Sequence, residues 1–572
     1  MLRPSASFLP LCAAWLLAIT LVCGFAVASD DSDRGSLDVT IEKGRELFQR
    51  EWVYEPPEIP NRQDVSVRDF EKRLSALPGD GLGPMFNANS CESCHAGGGG
   101  AGVQHNVSLI TLDPRMAFLI RRMNVNHRKT ARDEIRDMIV DLHPGLLSPI
   151  GRLSMETVIH EKSTRPLYEI FRQRIRGLVP GGIPDEWFIA EKRTVDAIAE
   201  NPVLAGRIGE IDFYLSQRNS PALYGLELID KISDRHLTNI ARSQSHRTSG
   251  KVTGRLGTGK FGWRGQTASL GDFVRGACAN ELGLQLARSP QAADPVDAKY
   301  VSLGKDMTDT EVSSLFRYVQ ALPKPEFEVA STADIPLARQ GKQLFVKIGC
   351  ANCHAENVLP AKGIYSDLLL HDMGELLQAP SPAPFSSRTH CKVMTLPAFP
   401  PAERPLGSRS QIQSSGGYFG GSTGFFTNSI PIPTASERPA EPNFPRVPLG
   451  DEEALALAAA PEQLTWEILQ REWRTPPLWG VADSGPYLHD GRAATLDAAI
   501  RWHGGEALDS ASEYRSLSKD DRRKVIVFLA SLRAPLVENR LARVDHSVES
   551  VVVQSDLVSE LLRMSESVSP FD

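Results

Sequence analysis

The pattern Cys-x-x-Cys-His occurs twice in the chain, at Cys91 to His95 and at Cys350 to His354. Two thiols at this spacing suit addition across the two vinyl groups of a haem, and the next histidine falls beneath the iron as proximal ligand. A zinc or redox Cys-x-x-Cys followed by a chance histidine is the alternative, and two such coincidences in one secreted chain are a poor account. The sequence therefore predicts two covalently bound haem c groups. Cys91, Cys94, Cys350 and Cys353 make the attachments, and His95 and His354 bind iron.

The remaining bulk properties fit that expectation. At 572 residues the chain exceeds one compact core and calls for two or three domains. Hydrophobic residues at 41% and charged residues at 23% are ordinary for a globular protein. A net charge of −7 gives no basic footprint, so no nucleic-acid partner is expected. Residues 1–28 read as a secretory signal peptide, with Arg3, an apolar run from Leu11 to Val27 and small residues to Ala28. A retained anchor is the competing reading, but the run is short for a span. Val22 before Cys23 lacks the small-residue character of a lipidation site. The location expected is thus periplasmic, with no membrane-spanning segment after cleavage. Eight cysteines are present; outside the leader and the two motifs only Cys278 and Cys391 remain, read as buried free thiols that could alternatively pair.

The mature chain reads as mainly α, with two cytochrome c-like haem domains related by internal duplication and carrying large insertions. The N-terminal domain is placed at 38–335 and the C-terminal domain at 336–535. A Gly-x-x-Leu-Phe segment opens each, at Gly44–Phe48 and Gly341–Phe345. An amphipathic helix stopped by proline closes each: Val312, Leu315, Phe316, Val319 and Leu322 before Pro323, then Val525, Phe528, Leu529 and Leu532 before Pro535. About two hundred residues with several helical patterns separate His95 from Thr308. Residues 378–461 turn rich in Pro, Ser and Gly and read as an irregular excursion, and 536–572 as a peripheral tail.

The function of a haem depends on the far face of its iron: two protein ligands favour electron transfer, an open face favours peroxide or O2. His503 is the distal candidate at the second haem, because Thr495 can cap a helix on which Leu496, Ala499, Ile500 and His503 share a face. His371 and Met373 compete with it. His105, a lone loop histidine, reads as a surface residue.

Several stretches taken together resemble the bacterial di-haem cytochrome c peroxidase and MauG superfamily, and within it the di-haem oxidoreductase family, also labelled thiol oxidoreductase. They are Gly79 to Asn87, Arg218 to Gly225, Gly259 to Trp263, Tyr365 to Gly374, Glu472 to Gly480, and Leu488 to Arg492 continuing to His503–Glu506. The resemblance spans about residues 40–535. It implies that Trp263 relays electrons between the haems and that Glu281 is the acid/base over the first haem. The Trp263 to Glu281 spacing is slightly shorter than the peroxidase pattern. Without the resemblance, a core tryptophan and a solvated glutamate would be the readings. It also implies one calcium ion, held by Asn219 and the segment Ser484 to Pro486, where structural turns are the alternative. His503 falls where the peroxidases carry an axial methionine and MauG a tyrosine, and histidine there lowers the potential.

The expectation is a periplasmic peroxidase with peroxide at the first haem and the second haem as electron partner. Its donor would be a redox protein or an organic molecule. A non-catalytic electron-transfer cytochrome and an O2-using oxygenase of the rubber-cleaving kind are the alternatives. Nothing in the residues argues for thiol chemistry.

Overall fold

A glycine and a phenylalanine four residues apart organise the helices beside each motif. The computed structural model describes residues 30–58, 66, 68–69, 77–113, 129–147, 154–209, 211–300, 302, 304–327, 331–380 and 466–535. The leader, Cys391, nearly all of the 378–461 excursion and the 536–572 tail lie outside the described residues. Helix α1 (Asp30–Gln49) packs on α3 (Asp309–Ala321), and α4 (Asp334–Lys347) packs on α6 (Lys519–Ala530). A methyl added at Gly44 would collide with the Ser314 carbonyl, and one added at Gly341 with the Lys524 carbonyl. Each glycine thus lets two helix backbones touch. One turn later, Phe48 meets Tyr318 at 5.2 Å between ring centroids and Phe345 meets Phe528 at 5.4 Å. The closing helices start at side-chain caps. Thr308 and Glu311 form a reciprocal capping box, and Ser518 accepts the Asp521 N–H.

The expectation of a mainly α protein is wrong. Between the first motif and α3 lies a four-stranded antiparallel sheet of β1 (Val107–Leu112), β2 (Glu156–Ile159), β3 (Val203–Ile208) and β4 (Ile211–Arg218), in the order β2-β1-β4-β3. Ile110 pairs with Leu215 and Thr157, and Leu204 also pairs with Leu215. Strand β4 is buried along almost its whole length, since the sheet is covered by a core of Ile135, Ile139, Phe171, Ile175, Trp187 and Phe188. The architecture is mixed α/β. Internal duplication is not shown either: the helix pair recurs, but this sheet has no counterpart among the described residues of the second half.

The halves meet in one core, where Leu47, Phe48 and Leu315 share a cluster with Val358, Ile364, Leu368 and Trp479. A short antiparallel pair, β5 (Leu370–Asp372) with β6 (Glu472–Arg474), holds the second motif's surroundings together. Arg255 bridges to β5 through reciprocal backbone bonds with Leu370 (2.8 and 3.0 Å) and to β6 through a fork on Glu472. Both side chains of that ion pair are only 5% exposed.

Two substitutions test these supports. Gly341→Ala should lower stability by about 1–3 kcal/mol through forced separation of α4 and α6, read by denaturant unfolding. Glu472→Gln should lower it by roughly 3 kcal/mol, because it strands a buried guanidinium. Wild-type midpoints in either variant would contradict the role given to that residue.

Candidate functional site

Helix α4 ends in a turn that only glycine takes easily: Gly349 has φ 91°, and the chain reverses into Cys350–Asn352. His354 follows, with its N–H on the Cys350 carbonyl at 2.9 Å. Its Nδ1 donates to the Tyr365 carbonyl at 2.9 Å. Facing it is His503. Helix α5 (Leu496–Arg501) is capped by Thr495 as predicted but stops before His503, which sits in the turn just after rather than on the helix stripe. There its Nδ1 donates to the Ala499 carbonyl at 2.8 Å. The two imidazoles lie 6.5 Å apart between centroids, with their planes tilted by 49°. Burial depresses both, His354 to about 4, so each is neutral near pH 7, the form that binds metal. Cys350, Cys353, His354 and His503 line one largely apolar cavity.

The competitors for His503 fare unequally. His371 is buried with Nδ1 2.6 Å from Glu506 and Nε2 2.9 Å from Asp367, so both ring nitrogens are committed. Met373 lines the cavity. Cys353, Asp367 and His371 are the one group of His, Cys, Asp and Glu side chains, among the described residues, close enough to hold an ion. Since Cys353 belongs to the second motif, that group has no independent claim as a metal site.

At the first motif, Ser90 caps the short helix Cys91–Cys94 by accepting the Ser93 N–H, and His95 Nδ1 donates to the Gly99 carbonyl at 2.9 Å. Helix α2 (Leu270–Glu281) delivers Glu281 to this motif. The Glu281 carbonyl accepts from Asn87 N (2.7 Å) and Ala88 N (3.2 Å), and its carboxylate accepts Asn87 Nδ2 at 2.6 Å. Burial raises the Glu281 pKa. Burial, and after it the Glu281 charge, push the Cys94 thiol up to about 11. His105 is exposed, with Nδ1 3.5 Å from Cys94 Sγ. Cys278 is a buried free thiol on α2, close enough to Cys91 to raise its pKa further.

Trp263 belongs to the surroundings of the second motif. Its Nε1 donates to the Asn219 carbonyl at 2.7 Å, and its ring lines the cavity of the second motif. Asn219 in turn donates to the Ala101 carbonyl, and Leu223 N to the Gly98 carbonyl, so the 219–223 segment grips the residues just after His95. Asn219, Ser484 and Pro486 also line the cavity. Asn219 Nδ2 and Pro486 Cγ would lie 3.3 and 3.2 Å from a methyl placed on Gly491, so they converge there.

Sequence reasoning assigned no role to the 472–474 strand or to His489. Trp473 stacks on His489 at 3.7 Å, and the Arg264 guanidinium lies 3.9 Å from the Trp473 ring centroid. Arg474 lines the same cavity. A signal was present: arginine in the otherwise apolar run Trp473-Arg474-Thr475-Pro476-Pro477-Leu478-Trp479 is out of pattern.

Among the described residues, no helix is long and apolar enough to cross a membrane. No curated protein sequence matches the chain. Among solved structures, one of a hydrazine synthase from Kuenenia stuttgartiensis is similar at 18% identity, over 55% of this chain and 73% of that one, with a TM-score of 0.26. Residues 462–532 match the model of the family described as "Di-haem oxidoreductase, putative peroxidase". That stretch holds β6, His489 and His503, so the resemblance read from the sequence is borne out there: residues 462–532 carry the signature of the di-haem oxidoreductases, a family whose cofactors are haems.

Proposed function

We propose that the protein is a periplasmic di-haem c-type peroxidase with two unequal haem sites. In this reading Cys91, Cys94 and His95 hold the haem that takes peroxide. Cys350, Cys353, His354 and His503 hold the haem that passes electrons. The observation that carries the reading is an asymmetry of partners. His354 has a second neutral imidazole 6.5 Å away, whereas the first motif has a buried carboxyl, Glu281, at its side. Buried neutral imidazoles, paired thiols and an apolar cavity wall suit a haem at the second motif.

Haem at the first motif would supply the iron at which peroxide binds and its O–O bond breaks. The chain's part is proton handling and orientation. Glu281 takes a proton from one peroxide oxygen and returns it to the other, which leaves as water. Asn87, hydrogen-bonded to Glu281 Oε2, keeps that carboxylate aimed. The complete reaction consumes H2O2, two protons and two electrons and yields two waters. The electrons come from a redox partner protein or an organic donor, with Trp263 as the relay between the sites. Asn219 with the Ser484–Pro486 segment is the proposed calcium site, since neutral oxygens suit that ion. The signal-like leader and the c-type motifs support the periplasmic location.

Glu281→Gln should reduce peroxide turnover by about 10²-fold or more while both haems stay attached, measured by stopped-flow absorption. Because burial raises the Glu281 pKa, the wild-type rate should fall as pH drops through that raised value, as the base is lost to protonation. The Gln variant should lack that limb of the profile. Unchanged turnover in the variant would remove Glu281 from the reaction and favour an O2-using oxygenase.

A further inference from the structure

Five arginines are buried among the described residues: Arg172, Arg193, Arg255, Arg474 and Arg492. Four have a carboxylate. Arg172 and Arg193 share Glu161, Arg255 has Glu472, and Arg492 has Asp490. Arg474 has none. Its Nε donates to the Gly262 carbonyl at 2.8 Å, and its Nη1 is buried with no partner. A guanidinium taken out of water without a counter-charge is strongly unfavourable, so the site calls for an anion. Burial alone lowers its pKa to about 10, which leaves it charged at neutral pH.

Among the described residues no protein group is placed to answer. Arg474 lines the cavity that also holds Cys350, Cys353, His354 and His503, and among the described residues the only carboxylate on that wall is Glu506. Glu506 is already bonded to His371 and to Thr253. The neighbouring Glu472 is engaged by Arg255, and the nearby Arg264 is a further cation. The Arg474 backbone is fixed as well, through its N–H on the Trp263 carbonyl at 3.0 Å and its place opposite Leu370. The next residue, Thr475, accepts the Ser366 hydroxyl at 2.7 Å. Ser366 adjoins Tyr365, whose carbonyl holds His354. The unpaired guanidinium and the second motif's histidine are therefore tied to the same backbone segment.

We propose that Arg474 pairs with a carboxylate carried by the group that fills this cavity, namely a propionate of the haem at Cys350, Cys353 and His354. The assignment rests on the di-haem reading. A fixed positive charge at the haem edge favours the reduced form, which carries one positive charge fewer, and so holds the potential up against the lowering effect of a histidine pair. Arg474 is a positioning and tuning residue, not a catalytic one.

The test is a spectroelectrochemical titration of the holo-protein as wild type, Arg474→Gln and Arg474→Lys, each first checked for two haems by pyridine haemochrome. With two haems present, the Gln variant should show a lower midpoint potential at one haem and an unchanged one at the other, and Lys should restore part of the shift. Two wild-type potentials in the Gln variant would overturn the assignment alone. Unchanged potentials together with loss of a wild-type spectral response to added benzoate would also overturn it, giving the carboxylate to a diffusible molecule. A wild-type haem count below two would bring down the di-haem reading and this inference with it.

Discussion

The arrangement depends on one repeated contact, an imidazole Nδ1 donating to a backbone carbonyl four to eleven residues away. His95 uses Gly99, His354 uses Tyr365 and His503 uses Ala499. Each bond fixes the ring plane and the tautomer, so that Nε2 is the nitrogen left to bind. Desolvation then keeps the rings neutral. Turns built around glycine, at Gly97 and Gly98 after His95 and at Gly349 before Cys350, let the chain fold back closely enough to set up these contacts.

What surrounds the histidines is largely devoted to holding two chain segments, 366–372 and 472–475, side by side. The β5–β6 ladder and the Ser366–Thr475 bond cross that seam, Arg255 clamps both sides through Leu370 and Glu472, and Trp263 holds Arg474. Trp263, Trp473 and Arg474 are therefore positioned by the same contacts that position His354. That common support gives the cavity its mixed character, apolar on most of its wall with Arg474 set into it.

The helices and caps around the motifs were legible because they follow local rules. Gly-x-x-Leu-Phe, Thr308 with Glu311, and Ser518 before two aspartates each act within one or two turns. The sheet was missed for the opposite reason. Val107-Ser108-Leu109-Ile110-Thr111-Leu112 and Ile211 to Gln217 are rich in β-branched and aromatic residues, yet they pair across about a hundred residues, and a search for helical spacing passes over them. His503 was found from its apolar neighbours even though the helix ends before it, since the turn keeps it on the side of Ala499 and Ile500. Arg474 stands out in the sequence only as an arginine in an apolar run; that it lacks a carboxylate appears only in the folded chain. Glu281 gave no local sign at all; its proximity to Cys94 comes from tertiary packing of α2.

The central claim is that His354 and His503 close one iron while the iron at His95 keeps an open face. Electron paramagnetic resonance of the ferric holo-protein tests it directly, in the wild type and in His503→Ala. The account predicts one low-spin signal of the two-imidazole kind, absent from the variant, together with a high-spin population at the other haem. Two low-spin haems in the wild type, or a two-imidazole signal that survives in the variant, would contradict it.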